Sequence, residues 1–130
     1  MSDTSQSASD IVSMPNDATV LIVDDEQPIT DAYAQWLEDD YEVRTAYSGS
    51  EALEKLDEEV DAVLLDRRMP NRSGEDVLAR IHEQGLNCRV ALVSAVAAAL
   101  NIKELGFDDY LQKPVSETEE LLETAETLLK

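Results

Sequence analysis

The sequence predicts a doubly wound α/β fold, in which helices cover both faces of one five-stranded parallel sheet. Five strand-like runs alternate with helical patterns between residues 19 and 129, and this alternation implies parallel pairing through right-handed crossovers. Three of the runs are almost entirely apolar, which is typical of strands buried on both faces. The length of 130 residues and the hydrophobic content of 43% suit one domain with its own core.

The strands are predicted from short runs of β-branched and apolar residues. The first, third and fourth runs consist largely of Val, Leu, Ile and Ala. The second alternates between polar and apolar residues, and the fifth is a short run centred on a Tyr-Leu pair. The five predicted strands cover residues 19–23, 41–45, 62–65, 90–93 and 110–111.

The first two helices are predicted from their starts. Pro28 stands near the beginning of the first helix, where the missing N–H of proline is tolerated. Ser48 and Glu51 have the spacing of a capping box at the start of the second helix. Apolar residues then follow at helical spacing, at Ile29, Ala32, Tyr33, Trp36 and Leu37 in the first helix and at Ala52, Leu53 and Leu56 in the second.

The other three helices are predicted from their ends. A left-handed cap at Gly85 can close the third helix. An alanine-rich fourth helix runs toward Leu105 and stops at Gly106. Ser116 and Glu119 have the capping-box spacing again, at the start of the fifth helix. The apolar positions are Val77, Leu78 and Ile81 in the third helix and Leu121, Leu122, Ala125, Leu128 and Leu129 in the fifth.

The first 17 residues differ from the rest of the chain. They are rich in Ser and Asp and follow neither a helical nor a strand period. They also lack the basic start and long apolar stretch of a secretory signal. We therefore expect a disordered acidic, Ser-rich tail at residues 1–17 and one domain at residues 18–130.

The chain is strongly acidic, with 29 acidic residues against 10 basic ones and a formal net charge of −19. Such a chain is repelled by phosphate backbones and anionic lipid, so we expect this segment to bind neither nucleic acid nor membranes. The single cysteine, Cys88, excludes an internal disulfide. The acidic residues are spread diffusely, which favours a halophilic cytoplasmic protein. Binding of many divalent cations, or of a basic partner, remains an alternative.

Polar residues follow the predicted strands at the edge where parallel sheets bind ligands. Asp24 and Asp25 follow the first strand, Asp66 follows the third, Ser94 ends the fourth, and Lys113 follows the fifth. Each signal alone is weak, since Asp-Asp occurs three times in this acidic chain. Only one of those pairs directly follows a buried strand. The joint placement therefore predicts one site.

Three carboxylates at this edge would repel one another. At a separation of about 5 Å, each pair costs about 3 kcal/mol at an effective dielectric constant near 20. Either one carboxyl becomes protonated or cations enter the site. Lys113 supplies one positive charge, and a divalent ion could supply two. Oxygen ligands without His or Cys favour Mg²⁺ over Zn²⁺.

The residues at these strand ends resemble the receiver domain of two-component response regulators, the CheY-like family. The matching stretches are VLIVDDE from Val20, LLDRRMP from Leu64, VSA from Val93 and YLQKP from Tyr110. The resemblance spans about residues 19–129 and implies the flavodoxin-like strand order 2-1-3-4-5. The acidic surface and the stretches DRRMP and GFDDY also resemble haloarchaeal receivers that precede a HalX-type output domain.

The resemblance implies a Mg²⁺ site. In the family pattern, Asp66 is the phosphoacceptor and coordinates Mg²⁺ directly together with Asp25. Asp24 coordinates it directly or through water. The main-chain carbonyl of Arg68 completes the protein ligands, and the Arg68 side chain is a candidate to contact or shield the phosphoryl group.

The resemblance also implies roles for residues on the last two strands. Lys113 pairs with the phosphoryl group, Ser94 donates a hydrogen bond to it, and Lys113–Pro114 is a cis peptide. In phosphorylated members of the family, the residue equivalent to Ser94 moves toward the phosphoryl group, and the residue equivalent to Tyr110 rotates inward. This motion changes the face formed by the fourth helix, fifth strand and fifth helix.

The implied function is a signalling switch. A sensor histidine kinase would donate the phosphoryl group, and an output domain, a protein partner or a phosphorylation-dependent homodimer would respond. The chain would catalyse only its own phosphorylation and dephosphorylation. A haloacid-dehalogenase-type phosphatase is disfavoured because Arg68 stands where that family needs a second Asp, and a pseudo-receiver is disfavoured by the complete set of polar residues. Both a stand-alone receiver and the front of a longer transcriptional regulator agree with the sequence.

Overall fold

The computed structural model describes residues 18–66, 74–94, 106–115 and 117–129. Four predictions lie outside these residues: the tail at 1–17, the roles of Arg68, the alanine-rich helix at 95–105 and the cap at Ser116. Within the described ranges, no helix is both long and apolar enough to cross a membrane.

The five predicted strands form one parallel sheet. They are β1 (Thr19–Val23), β2 (Glu42–Ala46), β3 (Ala62–Asp66), β4 (Arg89–Ser94) and β5 (Asp109–Gln112). Their spatial order is β2-β1-β3-β4-β5, with every neighbouring pair parallel. This is the predicted order 2-1-3-4-5, and the doubly wound fold is confirmed.

The described helices pack on both faces of the sheet. They are α1 (Gln27–Leu37), α2 (Gly49–Lys55), α3 (Gly74–Gln84) and α4 (Thr118–Leu129), the last being the fifth helix of the sequence prediction. Successive strand residues point to opposite faces, so each central strand supplies two separate cores. One core packs α1 and α4 against Val20 and Ile22, and the other packs α2 and α3 against Leu21 and Val23.

The predicted cap at Gly85 is present as a complete Schellman motif. Gly85 has φ +67°, its N–H donates to the carbonyl of His82, and the N–H of Leu86 donates to the carbonyl of Ile81. Both carbonyls would otherwise lack partners at the end of α3. Glycine is favoured here because side chains disfavour the left-handed conformation.

The predicted capping box at the start of α2 is formed in part. The Ser48 hydroxyl accepts from the N–H of Glu51 at 3.0 Å, as expected. The Glu51 carboxylate, however, accepts from the N–H of Tyr47 instead of that of Ser48. The reciprocal bond therefore reaches one residue further back and ties the end of β2 to α2.

The backbone conformation before β5 can be tested at a second glycine with positive φ. Gly106 precedes β5 with φ +101°, and an added Cβ would lie 2.7 Å from Cε1 of His82 and 3.3 Å from Cδ2 of Leu78. Because the exposed His82 can move away from the added Cβ, most of the destabilisation by a side chain at Gly106 comes from the positive φ. We expect Gly106→Ala to lower the free energy of unfolding by about 2 to 3 kcal/mol, measured by urea denaturation.

Gly85→Ala is the matched control. Its φ lies in the ordinary left-handed region, and no atom lies within 4 Å of an added Cβ, so we expect a cost of about 1 kcal/mol. Equal costs for the two variants would contradict the interpretation that Gly106 holds the more strained position.

Candidate functional site

The predicted site residues lie together at the carboxyl edge of the sheet. Asp24 directly follows β1, Asp66 is the last residue of β3, and Ser94 is the last residue of β4. The sheet places β3 between β1 and β4, and Lys113 follows β5 by one residue. Asp66 and Ser94 thus belong to their strands, whose backbone hydrogen bonds fix them more firmly than a loop would.

Three carboxylates form an acidic cluster at this edge. One oxygen from each of Asp24, Asp25 and Asp66 lies within 4.8 Å of the other two. Asp24 is 2% exposed and Asp66 is 7% exposed, whereas Asp25 is exposed. The cluster therefore opens to solvent on the side of Asp25, while its other two members lie in the protein interior.

Lys113 lies between the two buried carboxylates. Its Nζ is 2.7 Å from Oδ2 of Asp24 and 3.3 Å from Oδ1 of Asp66. Burial alone would lower the pKa of Lys113, but the hydrogen bond and charge of Asp24 raise it overall. The lysine is therefore protonated at neutral pH, and it forms the shorter contact with Asp24.

The single ammonium does not balance three carboxylates. Burial, followed by repulsion from Asp24, raises the pKa of Asp66 to about 6, although Lys113 opposes the shift. A cation at this cluster would relieve the remaining repulsion. The donors are all oxygens and one side of the cluster is open, so the residues present fit a hard divalent cation.

Ser94 connects the site to β5. Its main-chain carbonyl accepts from the N–H of Lys113 at 2.9 Å and from the hydroxyl of Tyr110 at 3.2 Å. The Ser94 side chain is buried, and Tyr110 is half-buried against the α2–α3 core. The Lys113–Pro114 peptide is cis, as the resemblance implies. The three residues proposed for phosphoryl binding and switching are therefore directly linked.

The sequence prediction missed one polar residue beneath the site. Thr30 is fully buried in α1, and its hydroxyl donates to the main-chain carbonyl of Asp24 at 2.8 Å. A polar residue on the inward face of a predicted helix, one turn before Tyr33, was the signal that could have found it. The remaining predicted ligand, the carbonyl of Arg68, lies outside the described residues.

Comparison with known proteins agrees with this geometry. Residues 20–126 match the model of the response regulator receiver domain. A Haloferax volcanii protein named as a candidate transcriptional regulator is 54% identical over 111 residues, which cover 85% of this chain and 19% of that protein. The transcriptional regulatory protein CutR of Streptomyces coelicolor is 39% identical over 105 residues, covering 77% of this chain and 48% of CutR.

A solved structure shows the same fold. The CheY-like receiver domain protein of Methanospirillum hungatei superposes with a TM-score of 0.77 at 31% identity, covering 86% of this chain and 93% of that one. In contrast, this chain spans less than half the length of the two curated relatives. The family model covers most of the chain, including all five strands except the first residue of β1. The chain therefore belongs to the receiver domain family of two-component response regulators.

Proposed function

We propose that this chain is a phosphorylation-dependent switch in which Asp66 accepts a phosphoryl group from a sensor histidine kinase. One observation carries the proposal: the buried Asp66 lies both in the acidic cluster and within 3.3 Å of the Lys113 ammonium. A nucleophilic carboxylate, a candidate cation site and a fixed positive charge thus meet at one point. That combination is what phosphoryl transfer needs.

Mg²⁺ is the proposed cofactor. Asp25 and Asp66 would hold it directly and Asp24 directly or through water, with the Arg68 carbonyl as a further ligand by family resemblance. When bound, Mg²⁺ supplies positive charge that stabilises the oxygens of the transferring phosphoryl group. The exposed position of Asp25 gives such an ion a route from solvent.

The transfer itself uses residues of this chain. A carboxylate oxygen of Asp66 attacks the phosphorus of a phosphohistidine, a P–O bond forms, and the P–N bond to the imidazole breaks. The Lys113 ammonium compensates the charge on the phosphoryl oxygens, and the Ser94 hydroxyl donates to one of them. Water later cleaves the acyl phosphate, which restores the carboxylate and resets the switch.

Ser94 and Tyr110 would transmit the conformational change from the phosphorylation site to the surface. The two residues already share a hydrogen bond through the Ser94 carbonyl, so a movement of Ser94 toward the phosphoryl group alters the support of the Tyr110 ring. The side chain of Tyr110 packs against the α2–α3 core, while its strand, β5, also contacts α4. We infer that the face including β5 and α4 responds to phosphorylation.

The Tyr110 step gives a prediction. We expect Tyr110→Ala to be phosphorylated like the wild type but to lose the changes that beryllofluoride causes in hydrogen exchange of β5 and α4. Tyr110→Phe removes only the hydroxyl, and with it the hydrogen bond to the Ser94 carbonyl, and should shift the switching equilibrium about fivefold. Full response of Tyr110→Ala in hydrogen exchange and in sedimentation, the latter reporting any homodimer, would show that Tyr110 is not part of the switch.

The likeness to transcriptional regulators supports a role in transcription control through an output domain or protein partner. This acidic segment would not itself contact nucleic acid or membranes, and we place it in the cytoplasm. The net charge of −19 and the similarity to a Haloferax volcanii protein support a halophilic source and a receiver that precedes a HalX-type domain.

The direct test of the proposal is phosphorylation by a small phosphodonor such as acetyl phosphate. With Mg²⁺ present, intact mass should increase by one phosphoryl group, and peptide mapping should place it on the peptide containing Asp66. With EDTA, the increase should disappear. An unchanged mass with Mg²⁺, or a phosphoryl group mapped to another residue, would contradict the assignment.

A further inference from the structure

Among the residues that the structure describes, Thr30 is the most deeply buried polar residue next to the acidic cluster. It has no solvent exposure, and its hydroxyl contacts two main-chain carbonyls, those of Asp24 at 2.8 Å and Glu26 at 3.2 Å. The carbonyl of Glu26 also accepts the Thr30 N–H at 3.0 Å. Thr30 therefore bonds to both ends of the turn that carries Asp24 and Asp25.

This geometry differs from that of other helical threonines in the chain. A threonine inside a helix commonly donates to the carbonyl four residues earlier, as Thr124 does to Glu120 at 3.0 Å and Thr127 does to Glu123 at 2.9 Å. The equivalent contact of Thr30 is its longer one. Its shorter contact reaches six residues back, outside α1, to a residue of the acidic cluster.

The other polar groups of Asp24 are also held. Its N–H donates to the carbonyl of Ala46 at 3.1 Å, its Oδ1 accepts from the N–H of Glu26 at 3.0 Å, and its Oδ2 accepts from Lys113. The hydroxyl of Thr30 completes this set at the carbonyl. The turn is thus fixed before any ligand arrives, which lowers the entropic cost of assembling the site.

We propose that Thr30 is a positioning residue whose hydroxyl holds the Asp24–Asp25 turn in the geometry that binds the divalent cation. The proposal rests on the proposed function, because it assigns Thr30 a role in the cation site of that function. Thr30 itself touches neither cation nor phosphoryl group. Loss of the Thr30 hydroxyl would loosen the turn. Part of the binding energy of the ion would then be used to order its ligands, and the affinity would fall.

The test measures Mg²⁺ affinity by isothermal titration calorimetry. Thr30→Val keeps the shape of the side chain and removes the hydroxyl, and we expect about fivefold weaker Mg²⁺ binding. Thr30→Ser keeps the hydroxyl and should bind Mg²⁺ within about twofold of wild type. At saturating Mg²⁺, phosphorylation of Thr30→Val by acetyl phosphate should recover, since the defect lies in affinity.

Thr124→Val is the matched control. Thr124 is a buried helical threonine on α4, and its hydroxyl bonds only within its own helix in the contacts described for it. The control should lose stability to urea without losing Mg²⁺ affinity. If Thr30→Val binds Mg²⁺ as tightly as wild type, or if both valine variants weaken binding equally, the positioning role is wrong.

Two further outcomes are distinguishable. If Thr30→Val does not fold, Thr30→Ser and Thr30→Ala are compared, because they differ only in the hydroxyl, and equal affinities would overturn the proposal. If the wild type itself fails to bind Mg²⁺, both the proposed metal-dependent function and the proposed role of Thr30 are wrong. Normal binding by Thr30→Val alone would leave the proposed function standing.

Discussion

Asp66→Asn is expected to abolish phosphorylation by acetyl phosphate, because an amide has no nucleophilic carboxylate oxygen to form the acyl phosphate. Intact mass in the presence of Mg²⁺ measures the effect. Mg²⁺ affinity should also fall, since Asn contributes no charge to the acidic cluster. A variant that still gains a phosphoryl group, or still responds to beryllofluoride, would show that Asp66 is not the acceptor.

The same substitution should stabilise the protein without Mg²⁺. In EDTA at neutral pH, the carboxylate of Asp66 is held ionised against burial and against the charge of Asp24, as its raised pKa indicates. We expect Asp66→Asn to raise the free energy of unfolding by about 1 to 3 kcal/mol, measured by urea denaturation.

The sign of this effect depends on pH. Because the folded-state pKa of Asp66 is raised, its ionisation opposes folding above that value and has no effect below the unfolded pKa. The advantage of Asp66→Asn should therefore be lost as pH falls from 7 to about 4. Asp39→Asn, which makes the same charge change at an exposed position, should alter stability little. A gain as large in Asp39→Asn would mean that net charge, rather than the site, is responsible.

Lys113→Met is expected to have the largest effect on stability of the site variants. It removes the ammonium that lies 2.7 Å from Asp24 and 3.3 Å from Asp66, and it leaves both buried carboxylates without that compensation. We expect the free energy of unfolding in EDTA to fall by about 3 kcal/mol. Mg²⁺ should restore more stability to this variant than to wild type, because the ion supplies the missing charge.

Phosphorylation should be affected as well. Without Lys113, the rate with acetyl phosphate at saturating Mg²⁺ should fall about a hundredfold, comparable to the loss of one hydrogen-bond donor that stabilises charge in a transition state. Arg80→Met is the matched control, since Arg80 forms an exposed pair with Glu83 at 3.8 Å that is worth about 0.5 kcal/mol or less. If Lys113→Met were as stable and as active as this control, the lysine would have no part in the site.

The acidic residues of the chain fall into two groups, one dispersed and one clustered. Most of the net charge of −19 comes from acidic residues that are spread along the whole sequence. Asp24, Asp25 and Asp66 instead converge at one edge of the sheet. One of only four lysines, Lys113, lies among them. Composition alone therefore predicted only which partners are disfavoured, whereas the position of the charges predicts the site.

Local sequence signals predicted the secondary structure well. The apolar runs of β1 and β3 need burial on both faces, and both strands are buried throughout. Gly85 closes α3 because the left-handed cap has a strong local preference for glycine. Where a signal depended on neighbouring elements, the prediction was incomplete. The Glu51 carboxylate accepts from the N–H of Tyr47, because the end of β2 presents that N–H beside α2.

The sequence by itself predicted the fold and the residues at the strand ends, because the hydrophobic pattern indicates parallel strands and parallel strands bring their carboxyl ends to one edge. The motifs at those strand ends predicted the family by resemblance. Only the tertiary structure decided that Asp24 and Asp66 are buried while Asp25 is exposed, that Lys113 lies closer to Asp24, and that Thr30 supports the turn. Asp24 and Lys113 are 89 residues apart in the chain. Such contacts depend on distances of a few tenths of an ångström between packed elements, and no local pattern of residues encodes them.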